Sequence, residues 1–427
     1  MEQQGFLHEV HTFPSGLRLL TVPMPAAKTA TVFVQVSAGS TYETERTSGV
    51  AHFLEHMMFK GTERRPGYLD ISQELDRLGA SYNAFTSKEW TGYYAKVAAA
   101  KLDVAMDVVC DIFLNSKLEQ GAMDIERGPI IEELRMREDD PRQNIGYLFE
   151  KLLWGDQPAG WEIGGTPDTI RAMKRQDLLD YFDSHYIAEN TVVTVAGNID
   201  PAYVRERIGK HLAHIRNGER AHREPTKDVQ TEPALLVHPK DVEQAYVQLG
   251  VRAFDRHDDR RYALALMAAI LGGGMSSRLF DEIREKRGLA YYVYASNTLY
   301  SDTGYFEVGV GANRDKADDA VKAILEELAK VREHGVTEEE LARVKDRAEG
   351  GMALALEHSD GVAESYSESL LFHGQVLTPE EELAKVKAVT TGHIRKVAED
   401  IFRPERLNLA VTGPFKDGHP FEGILKL

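Results

Sequence analysis

The chain has 427 residues, more than one hydrophobic core usually organises, so two or more domains are expected. Lys and Arg number 51 against 68 Asp and Glu, a formal net charge of −17, which argues against nucleic acid or an anionic membrane surface as partner. Cys110 is the only cysteine, which rules out an internal disulfide and a cysteine-based metal cluster.

Residues 1–6 show no basic segment leading into an apolar stretch, so no secretory signal is expected. The longest nearly pure apolar run, 262–271, falls far short of the roughly 20 residues that a membrane helix needs. A cytoplasmic protein is the expectation.

Residues 17–22 and 31–36 are β-branched, partly alternating and bounded by Pro and Gly, and are predicted strands. The run 48–59 follows without a proline, and its apolar residues recur at helical spacing, which predicts a buried helix. Within it stands His52-Phe53-Leu54-Glu55-His56. An α-helix has about 3.6 residues per turn, so positions i and i+4 share a face and two imidazoles can address one metal ion. Glu55 lies at the edge of that face, within reach of a metal-bound water without being a ligand. Zinc favours imidazole and carboxylate donors, and a catalytic zinc keeps one position open for water, lowering its pKa toward about 7. A carboxylate beside that water takes its proton and passes it to a leaving amine. The order H-x-x-E-H reverses the commoner H-E-x-x-H. Two core histidines and a capping glutamate would be the ordinary account of such a pentad in isolation.

Residues 71–78 are a second predicted helix, stopped by Gly79, and 81–86 with 91–97 read as an antiparallel pair. Residues 102–113 are helical, with Cys110 in the apolar run. Residues 123–137 are predicted helical and rich in glutamate, ending at Asp139-Asp140-Pro141. On this helix Glu126 and Glu133, two turns apart, share a face, while Glu132 points about 100° away from Glu133. A glutamate-rich helix is ordinarily a solvated face, but an inward carboxylate here can supply a third metal ligand. Residues 170–182 are a further helix, and 191–197 a strand that closes the first half. Residues 217–233 are polar, charged and carry Pro225 and Pro233, and are read as a linker between a metal-binding domain, 1–216, and a second domain, 234–427.

The second half repeats the first. Residues 170–197 align without a gap on 386–413, an offset of 216, and Thr91-Gly92-Tyr93-Tyr94 matches Thr303-Gly304-Tyr305-Phe306 at an offset of 212. An offset of 212 also puts Gly61 on Gly273 and the motif histidines on Leu264 and Ala268. A tandem duplication is expected in which one copy keeps the metal site. The fold class is α+β: two homologous domains, each an antiparallel-rich sheet packed with helices. The glycine-rich stretch 271–278 lacks the G-K-[ST] ending and follows an apolar helix, which argues against a phosphate loop. By themselves, Arg284 and Tyr291 read as an exposed arginine and a strand tyrosine.

Several spaced stretches carry a family resemblance. They are Pro14-Ser15-Gly16-Leu17-Arg18; residues 49–62; Asn83-Ala84-Phe85-Thr86-Ser87; Glu126-Arg127 through Glu132-Glu133; and Ser277-Arg278-Leu279-Phe280 through Gly288-Leu289-Ala290-Tyr291. With them the chain resembles the inverzincin peptidases that include pitrilysin, insulysin and the mitochondrial processing peptidase, and most of all their short, half-length members. The resemblance implies a zinc endopeptidase with one Zn2+ per chain, its ligands His52, His56 and Glu133, its base Glu55, and Glu126 supporting the metal shell. It implies that a peptide substrate adds as a strand to Asn83-Ala84-Phe85, and that Arg284 and Tyr291 hold the substrate near the scissile bond. In the short members two chains enclose a chamber that admits unfolded peptides. A homodimer, or a heterodimer with a homologous chain, is therefore expected, with Arg284 and Tyr291 acting at the partner chain's metal. Many members have Arg where this chain has Glu132, a competing carboxylate. The rival expectations are a non-catalytic or partner-dependent subunit of a heterodimeric processing peptidase, whose motifs are generally damaged, and a respiratory-complex core protein with structural metal.

Overall fold

The computed structural model describes residues 6–416, 421 and 423–426. Its first sheet consists of β1 (Glu9–Thr12), β2 (Arg18–Pro23), β3 (Thr29–Val36), β4 (Ser81–Thr86), β5 (Thr91–Ala98) and β6 (Thr191–Gly197), in the order β1-β2-β6-β3-β5-β4. The second consists of β7 (Ala234–Pro239), β8 (Gln244–Ala253), β9 (Ala290–Leu299), β10 (Gly304–Asn313) and β11 (Asn408–Gly413), in the order β7-β11-β8-β10-β9. One pair in each sheet is parallel, β2 with β6 and β7 with β11, and the other pairs are antiparallel. With β1 set aside, the two sheets share one strand order and one set of pairing directions. The chain is an α+β protein of two such halves. The central strands are β-branched and buried throughout, as in β6, Thr191–Gly197, because both of their faces are covered.

The pairing corrects one part of the expected repeat. Setting Val195 on Val411, as the 216 offset requires, carries its partner Val32 onto Val247, and then Ala95 onto Val310. That places β5 on β10 at a displacement of 215 residues, from 95 to 310, rather than 212. The difference is odd, and an odd slip turns a strand's side chains to the other face. Accordingly, Tyr93 lies in the main core of its sheet, whereas Tyr305 packs with Phe149 and Ala410 on the opposite face of its own.

The helices are α1 (Val50–Met58), α2 (Tyr68–Leu78), α3 (Leu102–Asn115), α4 (Gln120–Asp139), α5 (Pro141–Trp154), α6 (Pro167–Ala172), α7 (Arg175–His185), α8 (Pro201–His211), α9 (Arg261–Gly272), α10 (Ala317–His334), α11 (Glu338–Ala355), α12 (Ser359–His373), α13 (Pro379–Ala388) and α14 (Thr391–Ile401). The single helix expected over 170–182 is two, α6 and α7. Met173 is extended between them, Asp177 Oδ2 accepts the Lys174 N–H at 2.8 Å to start α7, and Arg127 donates to the carbonyls of Ile170 and Met173 that the break releases. The helix end expected at Asp139-Asp140-Pro141 is also the start of α5. Asp140 caps α5 and Pro141 occupies its first position.

The chain divides into two compact units. One comprises Met1–Leu134, Glu162–Glu224 and Gly351–Glu382; the other comprises Arg135–Trp161, Pro225–Gly350 and Leu383–Leu427. One crossing, Glu224 to Pro225, falls within the expected linker 217–233. The units interleave further than that: α5, from the first half of the sequence, packs on β8 and β11, and α12, from the second half, packs on β3 and β6. In the first unit the main core lies between the sheet and α1, α3 and α7. Among the described residues no helix is long and apolar enough to cross a membrane.

Candidate metal centre

Helix α1 is anchored by its apolar residues. Val50, Ala51, Phe53, Leu54, Met57 and Met58 are all buried, and each such side chain contributes roughly 1.5–3 kcal/mol of burial if it is Val, Leu, Phe or Met. Gly49 precedes the helix at φ 94, a left-handed conformation that favours glycine, and a Cβ there would come within 2.6 Å of the Gly164 carbonyl oxygen. The freed amides at this end are taken by Glu43. Its Oε2 accepts the Gly49 N–H at 2.7 Å and its Oε1 accepts the Ala51 N–H at 2.9 Å. Burial pushes the Glu43 carboxyl up to about 8, against the opposing pull of those amides and of Lys88.

One turn apart on α1, His52 Nε2 and His56 Nε2 lie 3.3 Å from each other. Glu133 Oε2, from α4, lies 3.6 Å from the first and 3.5 Å from the second. A tetrahedral zinc with bonds of about 2.0–2.1 Å holds its donors roughly 3.3–3.4 Å apart. The donor triangle therefore fits one face of such an ion and leaves the fourth position free. The Glu133 side chain is 39% exposed, so the triangle is not sealed from solvent. Glu132, one residue earlier, is exposed and does not enter the triangle.

Glu126 sits one step back. Its Oε1 accepts from His56 Nδ1 at 2.9 Å, and its Oε2 meets Lys60 Nζ at 2.5 Å. With the proton held on Nδ1, His56 Nε2 is free to ligate. Burial depresses the His56 pKa, but Glu126 and Glu133 outweigh burial and raise it to about 9. Glu126 itself is held below the usual carboxylate range, because His56 and Lys60 overcome its burial.

Burial raises the Glu55 pKa, and the hydrogen bond that its Oε2 accepts from Thr86 Oγ1 at 2.7 Å pulls the other way. Thr86 is the last residue of β4, the edge strand of the first sheet. Asn83 Oδ1 accepts the Ala84 N–H at 2.9 Å on this strand, and Ala84 packs into the core beneath α1 while Phe85 faces the other side. Glu55 and the strand expected to take a peptide are thus joined by one hydrogen bond.

Arg284 and Tyr291 come together in the second unit. Arg284 lies on a π-helical turn, Phe280–Lys286, with its guanidinium 4.8 Å from the Phe280 ring and 5.1 Å from the Tyr291 ring. Tyr291 is 73% exposed. Leu264 and Ala268, on which the 212 offset sets the motif histidines, are both buried among apolar neighbours.

The sequence reading did not single out Thr86, Lys60 or Glu43. Thr86 shares a face with Ala84 by the two-residue period of a strand, which was a usable signal. Lys60 lies one turn beyond His56, at helical spacing. Glu43 gave no signal, since its partners are backbone amides.

Residues 18–166 match the family model described as "Insulinase (Peptidase family M16)", and residues 172–348 match the one described as "Peptidase M16 inactive domain". An uncharacterised zinc protease of Streptomyces coelicolor is 37% identical over 414 residues, covering 95% of this chain and 89% of that protein. An uncharacterised zinc protease of Mycobacterium leprae is 39% identical over 408 residues, covering 95% and 91%. The crystal structure of a protease from Helicobacter pylori superposes with a TM-score of 0.91 at 25% identity, covering 96% of this chain and all 100% of that one.

Proposed function

The chain belongs to the insulinase family, peptidase family M16, and on that premise we propose that it is a zinc-dependent endopeptidase acting on extended peptides. The observation that carries this is the donor triangle of His52, His56 and Glu133 with the Glu55 carboxyl beside it. One zinc ion held there would polarise a peptide carbonyl and acidify a water.

The chain's own residues do the rest. The open edge of β4, at Asn83-Ala84-Phe85, pairs with the backbone of the substrate and fixes its register. Glu55 takes the proton of the attacking water and returns it to the amine that leaves. Its raised proton affinity suits both steps, since a base that must become an acid works best with a pKa near the ambient pH. Thr86 fixes the Glu55 carboxyl relative to the peptide-binding strand. Glu126 holds His56 in the tautomer that ligates. Arg284 and Tyr291 present a guanidinium and a phenol for the substrate carbonyl. Two chains pair, each lending this couple to the other's metal centre.

The test is Glu55→Gln, which removes the base and no ligand. Zinc content by elemental analysis should stay at wild type, while turnover of a quenched fluorogenic peptide falls by 10²-fold or more, on the order expected for loss of general acid–base catalysis. Undiminished turnover would refute the base, and a zinc-loaded wild-type chain that cleaves no peptide would favour the non-catalytic subunit.

A further inference from the structure

We propose that the sheet face turned away from the candidate metal centre holds a specificity site: a cleft beside β4 that receives a lysine or arginine side chain of the bound peptide. The proposal rests on the peptidase reading above and deepens it.

The cleft has a volume of about 400 Å³ and is lined by Phe33, Phe85 and Tyr94 from β3, β4 and β5, and by Asp360 and Glu364 from α12. The three rings form a continuous wall, with Phe33 centroids 6.1 Å from Phe85 and 5.8 Å from Tyr94. The wall is built into the sheet. Gly92 faces Phe85 across the strands, and a Cβ there would come 2.7 Å from both the Phe33 and the Phe85 rings, so only glycine lets the rings lie over β5. Phe85 belongs to the very stretch on which the peptide would pair.

The geometry selects the ligand. A peptide added to β4 lies about 4.8 Å beyond it and alternates its side chains between the two faces. Every second residue points to the metal side, where Ala84 and Thr86 lie, and the others point to the cleft. A side chain on the cleft side must cross β4, and β5 is roughly 10 Å away, two strand spacings. Long unbranched chains reach furthest, and those of Lys and Arg lay an apolar stem on aromatic rings while carrying the charge at the tip. At the far wall stand the carboxylates of Asp360 and Glu364, with the His358 imidazole also lining the cleft. Asp360 is already engaged by Lys96 at 2.7 Å, but among the described residues no cation lies within ion-pair distance of Glu364. Burial and the neighbouring Glu368 and Asp360 raise the Glu364 pKa, a penalty that an incoming ammonium or guanidinium would relieve.

The experiment measures binding, so that it does not depend on catalysis. Fluorescein-labelled heptapeptides carrying lysine, norleucine or glutamate at each position in turn are titrated by anisotropy against the zinc-loaded Glu55→Gln chain. Norleucine keeps the stem of lysine and lacks its charge. At one or more positions spaced two apart, lysine should bind about tenfold more tightly than norleucine, an effect of the size expected for a partly desolvated ion pair with aromatic support. Adding Glu364→Gln should cut that ratio to below about twofold and leave norleucine peptides unchanged. A lysine preference that survives Glu364→Gln, or no position that prefers lysine, overturns the proposal. A wild-type chain that binds with this preference but cleaves none of these peptides overturns the peptidase reading and leaves the cleft standing.

Discussion

His56 is asked to hold a proton and to give it up. Without an ion, burial disfavours its charge, but Glu126 on Nδ1 and Glu133 beside Nε2 raise its pKa from 6.5 to about 9. The folded chain therefore binds this proton more tightly than the unfolded chain does. The resulting stability is complete below about pH 6.5 and is lost as pH rises through about 9. Zinc takes a neutral ring nitrogen, so its binding between those limits must expel a proton. Titration calorimetry of the zinc-free chain at pH 7.5, in buffers of different ionisation enthalpy, should show release of about one proton per ion. Glu126→Gln, which removes one of the two carboxylates, should reduce that number and weaken zinc binding by 10- to 100-fold, as expected when a ligand loses its supporting partner. A binding enthalpy independent of buffer would show that His56 is already neutral and that the carboxylates do not hold its proton.

Helix α1 is positioned by one carboxylate as well as by its apolar face. Glu43 ties the amides of Gly49 and Ala51, and the same loop is fastened to the end of β4 by Ser40 and Thr41, whose N–H groups donate to the carbonyls of Ser87 and Lys88. Glu43 thus bridges the helix that bears the histidines and the turn after the strand that bears Thr86. Glu43→Ala leaves two buried donors unpaired, at about 1–3 kcal/mol each. Urea unfolding of the zinc-free variant should show a loss of about 2–6 kcal/mol, and chelator competition should show faster zinc release. Glu43→Gln keeps one accepting oxygen and should lose less on both measures. Equal zinc retention in both variants and the wild type would sink the positioning role. This contact illustrates which parts of the architecture could be read from the sequence. The two motif histidines were legible because helical spacing alone puts them on one face. Whether Glu126 or Glu133 completes the triangle depends on how α4 lies against α1, and the two share a face in any helix. The start of α5 was hidden because Asp140-Pro141 serves one helix as its end and the next as its cap. The α6–α7 break depends on Arg127, more than forty residues away, and a long-range partner leaves no local pattern. The strand register of the repeat was misread by an odd number, because two tyrosines matched in type while pointing to opposite faces.

The whole molecule poses the question of what the second half contributes, since among the described residues the one ligand cluster lies in the first. Its sheet repeats the strand order of the first, α5 and α12 each cover the sheet of the opposite half, and Leu264 and Ala268 are ordinary core. What the second half offers instead is Arg284 resting on Phe280 and Tyr291, with Tyr291 left 73% exposed. An exposed tyrosine stacked with a guanidinium is a weak gain for folding, roughly 0.5–1 kcal/mol, so the couple is better explained by a ligand than by stability. If that ligand is the peptide at a second chain's metal centre, the two functions can be separated and recombined. A Glu55→Gln chain retains Arg284 but no base, and an Arg284→Ala chain retains the base but no arginine. Each alone should be nearly inactive. Allowed to exchange at equal concentration, half of the pairs are mixed, and each mixed pair holds one complete site and one that lacks both groups. Activity should then recover to about a quarter of wild type, the share fixed by counting sites in a twofold pair. Were Arg284 to serve the metal of its own chain, the mixed pair would contain two sites each missing one group, and mixing would restore nothing. Light scattering on the same mixture supplies the control: if the chains are paired and exchanging but activity stays at the sum of the parts, the shared-site arrangement is excluded.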